Sequence, residues 1–588
     1  MKLSQLYSNN KFKPILFNDG VNLVLARVTK RLNLNKDSHN LGKTTLIAVI
    51  DFMLLKDISQ DHLFKKHKDK FSGYVFFLEI LLNNGQYLTI KRSVDSPRKI
   101  SFKETIVSSN LLNELNWDIS EQSLEKSKDI LNKYLAFNTL KDWSYRKSIT
   151  YFLRSQKDFN DVFQLSKFSK GKDIDWKPLM FDLLGFNGNL LTEKYMIDSK
   201  IADQKRLISN LKSEFSVDTD EVDKIKGAIE LKTSEREELL QQIDNFNFYH
   251  QERKLNKELV EHIEAEISDL NTLEYNIEYD LEKTKKSISN NISFDTEQLI
   301  QIYNEVNIFF PKSLIKDYKS LEEFNRRITE ERNKYLEEKI NTLSKQLHEI
   351  RNTLRVYDNK RNKILSVLKD KDSFKKFKLF QIELSKVEGE VSRLDEKLKS
   401  IDKIGILKEI TSNLEANLKT IVNEIESQIS SSENTIYPEI RRVFHNTFRY
   451  IFNSPALIFI RQNSIGNIEF KVEVTKDNEV DSTAEGEGNS YQKMLCICFD
   501  LALLVAYHNN SFYRFVYHDG ALEGLDNRKK RNYINLIRRL CVSNNLQYIF
   551  TAIEHDIPTT ILKSFTQKEI CLTLDDSGDS GKLFEFSF

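Results

Sequence analysis

The stretch DSHNLGKTTLIAVIDF, residues 37–52, decides the fold predicted for this chain. It ends as a phosphate-binding loop does, with Gly42, Lys43 and Thr44 in succession and an apolar helical segment from Thr45. Such a loop presents backbone N–H groups at a helix N-terminus, a lysine for the terminal phosphates and a hydroxyl for Mg²⁺. The second half of this device is present, so the stretch predicts a nucleotide site.

The first half of the loop departs from the usual pattern. Asp37 stands where a glycine normally precedes the Gly-Lys pair, and Asn40 occupies another position where glycine is common. Asparagine tolerates left-handed backbone angles, and aspartate does so less well. We therefore expect a strained loop that can still form, with Asn40 among the residues that contact the nucleotide.

Length, charge and breaker residues point to a large protein with long helices. The chain has 588 residues, too many for one ordinary core. Lys+Arg and Asp+Glu nearly cancel, at 88 against 87, so any contact with nucleic acid would need a local basic patch. Only 17 glycines and 7 prolines interrupt the chain, which favours long helices.

Cysteines and apolar runs indicate the compartment. Cys496, Cys498, Cys541 and Cys571 form no CxxC pair, so we expect neither a disulfide framework nor a zinc site. The longest apolar run begins at Met494, is too short to cross a bilayer and contains a charged residue. We predict a cytoplasmic protein without a membrane partner.

The middle of the chain is predicted to be an antiparallel coiled-coil hairpin. Its first arm would be residues 191–292, its tip 293–325 and its second arm 326–432. Apolar residues there recur at heptad spacing with charged flanks. Two straight arms of ~100 residues would each extend for about 150 Å. The second arm carries the most regular seam: Leu336, Ile340, Leu343, Leu347, Ile350, Leu354 and Tyr357, then Val387, Val391, Leu394, Leu398 and Ile401.

The sequence of the tip and of the seams bears on a zinc contact and on a helix-bundle alternative. The tip contains no cysteine, which excludes a zinc-hook contact. The apolar seams also fit one face of a globular helix bundle, so that alternative stays open.

The two ends, residues 1–190 and 433–588, have a mixed α/β pattern. Apolar runs at 73–82 and 86–94 flank Asn83-Asn84-Gly85 and predict a β-hairpin. Further strands are predicted at 21–27, 456–461, 468–475, 512–519 and 546–553 and in the closing LFEFSF, and helices near 434–452, 489–507 and 527–542. Neither end is large enough to complete a nucleotide-binding sheet, so the hairpin would bring them together as one head.

FVYHDGALEGLD, residues 515–526, predicts the metal carboxylate. Its apolar strand ends at Asp519, where nucleotide-hydrolysing folds place the carboxylate that holds Mg²⁺. A glutamate often follows and polarises the attacking water, but Gly520 stands there. Glu523 is the nearest carboxylate that can replace it, and Asp526 lies where a second, dimer-facing aspartate is expected.

EGEGNSYQKMLCICFDLALL, residues 485–504, predicts a Gly-rich turn that runs into an apolar helix. The N–H groups at such a helix start can meet the γ-phosphate of a nucleotide bound by another subunit. The candidates for this contact are Gly486, Gly488, Asn489, Ser490 and Gln492. An ordinary loop that caps a core helix is the alternative.

The order of these motifs resembles the SMC/RecN/SbcC class of ABC-type ATPases, with short arms. The sequence HNLGKTTLIAVIDF is similar to that of a bacterial family of such ATPases, and so is the pair His518-Asp519, which stands where other ATPases have Asp-Glu. It also resembles the SMC-like B subunits of Lamassu-type antiphage systems. The resemblance implies an α/β ABC-type ATPase head (P-loop) built from the two ends of the chain, with ATP and Mg²⁺ as cofactors.

The resemblance also implies residue roles. Lys43 and Thr44 match the phosphate and Mg²⁺ residues, Asp519 matches the Mg²⁺ carboxylate, and Gln156 matches the glutamine that links Mg²⁺ to the far lobe. The usual Ser-Gly-Gly of the signature is not intact. The expected histidine after the last strand is displaced to His555, near Ile553.

Two basic clusters are candidates for contact with DNA phosphates. One comprises Lys65, Lys66, Lys68 and Lys70, and the other comprises Arg528, Lys529, Lys530 and Arg531. Solvated helix faces are the alternative for both.

The favoured function is an ATPase whose two heads sandwich ATP and which senses or clamps double-stranded DNA. Lys43 would stabilise phosphate charge, Thr44 and Asp519 would hold Mg²⁺, and Glu523 would orient the water. Nothing in the sequence resembles a nuclease site, so in an antiphage system a separate nuclease-like effector and accessory subunits would act. A non-hydrolysing coiled-coil scaffold that holds partner proteins is the rival. A transporter subunit is disfavoured by the coiled-coil insertion.

Overall fold

The structure is a computed structural model that describes residues 1–27, 41–140, 142–215, 221–244, 257–289, 312–365, 371–463, 465–475 and 489–587. The chain divides into two compact units. Met1–Lys200 and Glu415–Phe588 form the first unit, which we call the head, and Ile201–Leu414 form the second, the helical unit. The two ends of the chain therefore fold together.

The strands all lie in the head. They are β1 (Lys2–Ser8), β2 (Ile15–Leu16), β3 (Val21–Arg27), β4 (Val75–Leu81), β5 (Tyr87–Ser93), β6 (Lys99–Thr105), β7 (Ile119–Ser123), β8 (Leu153–Arg154), β9 (Ala456–Gln462), β10 (Ile468–Val474), β11 (Phe515–His518), β12 (Gln547–Ile553) and β13 (Ile570–Asp575).

The helices include both short connectors and long antiparallel segments. They are α1 (Lys43–Met53), α2 (Leu63–Lys66), α3 (Lys68–Phe71), α4 (Leu124–Tyr134), α5 (Tyr145–Ser148), α6 (Lys177–Leu183), α7 (Gly188–Phe215), α8 (Val222–Asp244), α9 (Lys257–Ser289), α10 (Lys312–Leu365), α11 (Lys371–Ser430), α12 (Ile436–Phe452), α13 (Asn489–Ala506), α14 (Asn527–Asn544) and α15 (Thr559–Leu562).

A parallel sheet joins the two ends of the chain. Its strand order is β13-β3-β12-β11-β8, and every neighbouring pair runs parallel. β3 and β8 come from the N-terminal part, whereas the other three strands come from the C-terminal part. Buried residues run almost unbroken along β3 and β12, as expected for a parallel sheet covered on both faces. Neither end can build this sheet alone.

Two antiparallel sheets complete the strands of the head. The larger has the order β2-β1-β4-β5-β6-β7, and β9 pairs with β10 in the smaller. The predicted hairpin at Asn83-Asn84-Gly85 joins β4 to β5, and Gly85 has a φ of 90°, which a non-glycine residue rarely adopts. The closing LFEFSF was predicted as a strand, and this is wrong. Residues 583–587 form no strand, and β13 lies upstream of them.

Helices of the helical unit pair as an antiparallel hairpin requires. Near one end, Ile225 of α8 packs with Ile401 and Ile404 of α11. Leu239 of α8 packs further along with Leu384 and Val387 of α11. Ile263 and Ile267 of α9 pack with Leu354 of α10. Residues later in α8 contact residues earlier in α11, as antiparallel helices do. The predicted antiparallel pairing and its heptad seams are therefore confirmed.

In the helical unit α9 packs against α11 as well as against α10. The Ser268 and Ser385 hydroxyls lie 3.3 Å apart. The Arg393 guanidinium lies 4.4 Å and 4.2 Å from the ring centroids of Tyr275 and Tyr279. Three helices therefore pack together at this level, and the predicted bounds and length of the arms stay a prediction. Residues 293–311 of the predicted tip lie outside the described residues.

The head and the helical unit have the fold class that the sequence predicts. An α/β head assembled from both ends of the chain carries a long antiparallel coiled-coil hairpin between them. In the part of the chain that the structure describes, no helix is long and apolar enough to cross a membrane.

Candidate nucleotide site

Gly42 caps the helix that follows the parallel strand β3. Its φ of 100° is left-handed, and a Cβ there would lie 2.8 Å from Cβ of Leu583. Both the backbone angle and the close approach therefore require glycine. Lys43 begins α1 and is 6% exposed, while Thr44 and Thr45 lie in its first turn. The N-terminus of α1 thus carries the residues that the sequence predicted for phosphate, and Asn40 lies outside the described residues.

Thr44 and Asp519 meet, although 475 residues separate them in sequence. The Thr44 hydroxyl donates to Oδ2 of Asp519 over 2.8 Å. The other carboxylate oxygen accepts from the Thr551 hydroxyl at 2.6 Å. Asp519 is fully buried directly after β11. A hydroxyl beside an ionised carboxylate is the oxygen donor pair that Mg²⁺ favours at phosphate sites, so these residues fit the ion.

Lys43 lies in a field of carboxylates. Burial lowers the pKa of its ammonium, and the charges of Asp519, Glu523 and Asp556 oppose that shift. These carboxylates stabilise the charged form of a lysine that little water reaches. Asp556, in the turn after β12, was not singled out in the sequence; the signal was an acidic residue beside the expected histidine. His555 itself is exposed.

Glu523 fills the space beside Gly520. Gly520 has a φ of 69°, and a Cβ there would lie 2.8 Å from Oε1 of Glu523 and 2.9 Å from Nε2 of Gln156. The Gln156 amide donates to Oε1 of Glu523 over 3.1 Å. Position 520 has no carboxylate of its own, and the carboxylate of Glu523, three residues further along, lies in the space beside it. The Mg²⁺ role of Gln156 stays a prediction, since its hydrogen bond in the structure goes to Glu523.

The start of α13 contacts the turn that holds Glu523. The Ser490 hydroxyl donates to the Gly524 carbonyl over 2.9 Å, and Nε2 of Gln492 donates to the Asn160 carbonyl over 3.3 Å. Both contacts are made within the same chain, and a role towards a nucleotide on another subunit stays a prediction. Gly486 and Gly488 lie outside the described residues.

Lys493, the last residue of the segment Ser490 to Lys493 that only loosely matches the signature, belongs to the same group. Its ammonium donates to the Gly520 carbonyl over 2.8 Å and lies 3.2 Å from Oε2 of Glu523. Its side chain is 15% exposed. A lysine among the apolar residues of α13 was the available signal.

A buried charged network lies directly behind the site. Two nitrogens of Arg154 donate to the two carboxylate oxygens of Asp500 over 2.6 Å and 3.1 Å. Nε2 of His518 lies 3.0 Å from Asp500, and Nδ1 lies 2.5 Å from the Tyr548 hydroxyl. Burial lowers the pKa of His518, which favours the neutral ring. It then donates from Nε2 to the carboxylate and accepts from Tyr548 at Nδ1.

This network ties together four elements of the site. Arg154 ends β8, two residues before Gln156, and also donates to the carbonyls of Asp158, Asp161 and Val162. Asp500 lies on α13, and His518 ends β11 just before Asp519. The network therefore positions the loop of Gln156, the helix of Lys493 and the strand of Asp519 together. The histidine was noted in the sequence only as a departure from the usual pattern.

Asp526 has a local structural role in the described contacts. Its carboxylate accepts from the backbone N–H groups of Arg528 and Lys529, both over 2.9 Å, and so caps α14. Hydrogen bonds and the Lys529 charge lower its pKa. The dimer-facing role predicted for it stays a prediction.

Both basic clusters of the sequence contain lysines that are buried or that already contact other groups of the chain. Lys530 is buried, and the Lys529 ammonium lies 3.4 Å from Asp526 and 4.8 Å from the ring centroid of Phe452. In the first cluster, Lys70 donates to the Ser587 carbonyl over 2.7 Å, and Lys66 lies 3.6 Å from Asp61. Within the described ranges, no group of three or more His, Cys, Asp or Glu residues is placed to hold a metal.

The fold and this grouping of side chains define a class of architecture: an α/β head, built from both ends of the chain, that carries a coiled-coil insertion and brings a buried lysine and a threonine at a helix start next to a buried carboxylate. A bacterial family described as "Uncharacterised protein conserved in bacteria (DUF2326)" matches residues 436–588, the C-terminal part of the head. "Uncharacterized protein YydD" of Bacillus subtilis (strain 168) is 22% identical over 598 residues, covering 97% of this chain and 96% of that protein.

Solved structures with a similar fold include Smc heads. The Smc head domain with a coiled coil and joint derived from Pyrococcus yayanosii is 12% identical, with a TM-score of 0.36, over 99% of this chain and 96% of that one. The Smc head domain with an extended coiled coil bound to the C-terminal domain of ScpA, derived from Pyrococcus furiosus, is 10% identical. Its TM-score is 0.31, over 95% of this chain and 90% of that one.

Proposed function

We propose that this chain is an SMC-like ATPase that binds ATP and Mg²⁺ and uses them to sense or clamp double-stranded DNA. The observation that carries the proposal is the hydrogen bond between Thr44 and Asp519, which joins the two ends of the chain at the start of α1. The donors required for Mg²⁺ and the buried Lys43 required for phosphate charge lie together there. Mg²⁺, when bound, would neutralise phosphate charge.

The resemblance noted in the sequence supports the wider assembly. Two heads would enclose two ATP molecules, each bound by the Lys43 loop of one head and the Ser490 helix of the other. The same resemblance supports a role as the sensor or regulatory subunit of a bacterial antiphage complex of the Lamassu type. A separate nuclease-like effector and accessory subunits would then carry the toxic activity.

A patch that the sequence does not reveal supports contact with DNA. Lys56 and Arg146 both bind the Asp51 carboxylate, over 2.7 Å and 2.5 Å. Lys147 lies next along the chain, and its carbonyl accepts from the Thr150 hydroxyl, which in turn accepts from Lys167 over 2.7 Å. We call Lys56, Arg146, Lys147 and Lys167 the Asp51 patch. Its four cations share one partly compensating carboxylate, which suits a phosphate backbone.

The first test is ATP turnover by the purified protein, with and without linear double-stranded DNA. The Lys43→Ala variant, which lacks the phosphate lysine, sets the background. We expect turnover that requires Lys43 and rises when DNA is added. Turnover at the level of the Lys43→Ala variant, with ATP still bound, would contradict the ATPase proposal.

That contrary result would favour the scaffold alternative. One observation supports this alternative, because the Glu523 carboxylate is already paired with Lys493 and bonded to Gln156. A head of this kind would hold ATP as a structural ligand, and its coiled coil would hold partner proteins.

Charge reversal in the Asp51 patch is expected to weaken DNA binding. Burial and the neighbouring cations lower the pKa of Lys167 to about 7, so the variant Lys147→Glu with Lys167→Glu removes between one and two positive charges. The slope of log affinity against log salt should then fall by about one to two. Fluorescence anisotropy with a labelled duplex at several salt concentrations measures this slope. The matched control is Lys563→Glu with Lys568→Glu, which makes a comparable change of net charge at two exposed lysines of the head that lie outside both sequence clusters. An equal loss in both variants would mean that net charge, not the Asp51 patch, governs binding.

A further inference from the structure

The contacts of Lys493 point to the regulation of Glu523, and this inference rests on the proposed ATPase function. Glu523 lies in a short turn after β11, and its carboxylate is bonded on one side by Gln156. On the other side, the Lys493 ammonium lies 3.2 Å from Oε2. The carboxylate is therefore held between one neutral donor and one charged donor.

Lys493 also binds the backbone of the same turn. Its ammonium donates to the Gly520 carbonyl over 2.8 Å, so a single side chain spans the first residue of the turn and the carboxylate that fills the space beside it. The Lys493 side chain is 15% exposed and the Glu523 side chain is 35% exposed, so the contact is partly shielded from water. A charged donor of this kind fixes the orientation of the carboxylate.

Ser490 and Lys493 lie three residues apart on α13, so they lie on the same face of the helix. Both reach the turn: Ser490 contacts the Gly524 carbonyl, and Lys493 contacts Gly520 and Glu523. A displacement of the N-terminal turn of α13 would therefore move or release the Glu523 carboxylate. The helix that sequence reasoning assigns to the partner's nucleotide thus contacts the candidate base of its own head.

We propose that Lys493 is a positioning residue that holds the Glu523 carboxylate in its orientation beside Gly520, so that the start of α13 controls the candidate base of its own head. Lys493 has no role in binding ATP in this proposal. Its removal should act on the chemical step and spare nucleotide affinity.

The test compares Lys493→Met with Lys493→Arg in the full chain. Loss of the charge should lower kcat about tenfold, with KM for ATP within twofold, because one positioning contact is lost. Arginine keeps the charge and should restore most of kcat.

A double variant separates positioning from a general structural role. Lys493→Met should add no further loss in a Glu523→Gln background, because the side chain it acts through has already lost its charge. Equal losses in both backgrounds, or a Lys493→Arg variant as slow as Lys493→Met, would overturn the proposal. A Lys493→Met protein that fails to fold would leave Lys493→Arg and Lys493→Gln for the same comparison.

A readout without catalysis keeps this inference distinct from the ATPase proposal. If the wild-type protein shows no turnover, the proposed function fails, and amide hydrogen exchange over residues 519–526 then tests Lys493 alone. Exchange there should be faster in Lys493→Met than in wild type and unchanged in Lys493→Arg. Equal exchange in wild type and Lys493→Met would show that the contact does not hold the turn.

Discussion

Glu523→Gln is expected to lower ATP turnover about 100-fold or more while ATP binding remains. Glutamine has nearly the shape of glutamate but cannot accept the proton of an attacking water. Gly520 offers no side chain, and the Glu523 carboxylate fills the space where one would lie. Glu523 is therefore the candidate base of the proposed site.

Asp519 is poorly placed for this role. One carboxylate oxygen accepts from Thr44 and the other from Thr551, and the side chain is fully buried. Such a carboxylate is suited to holding a cation. Glu523 is more accessible, since its side chain is 35% exposed, and it lies in a turn that can adjust.

Steady-state ATP hydrolysis and the binding of a fluorescent ATP analogue separate the two effects. Lys43, Thr44 and Asp519 are unchanged in the variant, so affinity for the analogue should stay within a few fold of wild type. Glu554→Gln is the matched control, because Glu554 follows β12 and pairs with Arg27 rather than with the site. Undiminished turnover in Glu523→Gln would remove Glu523 as the base, and loss of both binding and turnover would make it structural.

The sequence predicts most elements of the head, because local chemistry decides them. Apolar runs mark β3 and β12, and the Asn-Gly turn marks the hairpin of β4 and β5. Sheet order does not follow from such runs, because β13 pairs with β3 across more than 500 residues of chain. The expectation of a strand at the C-terminus placed the last strand too late, since LFEFSF has the composition of a strand but no partner in the sheet.

The heptads predict which helices pair but not how the pairs pack further. An apolar seam describes one face of a helix, and α9 uses that face against α10. Its second contact, with α11, depends on Gly389, where a Cβ would lie 2.8 Å from the Tyr275 ring. One glycine in a helix is a weak signal, and the tyrosine it accommodates lies more than 100 residues away in sequence.

The candidate site also contains residues that the sequence predicts and residues that it does not predict. Gly42, Lys43, Thr44 and Asp519 carry motif spacing that the sequence displays. Lys493 and Arg154 carry none, because each acts through a partner on another element. Their roles depend on distances that only the fold sets.

Asp500→Asn is expected to destabilise the head by about 3–5 kcal/mol. Asp500 and Arg154 are both fully buried, and the carboxylate is the only acidic side chain bonded to that guanidinium among the described contacts. The amide removes the negative charge and leaves the guanidinium charge uncompensated in a fully buried site. Its NH₂ group would also face a donor, from either Arg154 or the Nε2–H of His518.

Urea unfolding followed by circular dichroism measures this loss, as an earlier midpoint for the head. Asp129→Asn, at an exposed position on α4, makes the same chemical change without a buried partner and should leave the midpoint in place. Because Arg154 also bonds three carbonyls of the Gln156 loop, ATP turnover should fall along with stability. An Asp500→Asn head as stable as wild type would mean that those carbonyls alone compensate the charge of Arg154. The contact between Arg154 and Asp500 would then not be needed to hold the Gln156 loop against α13.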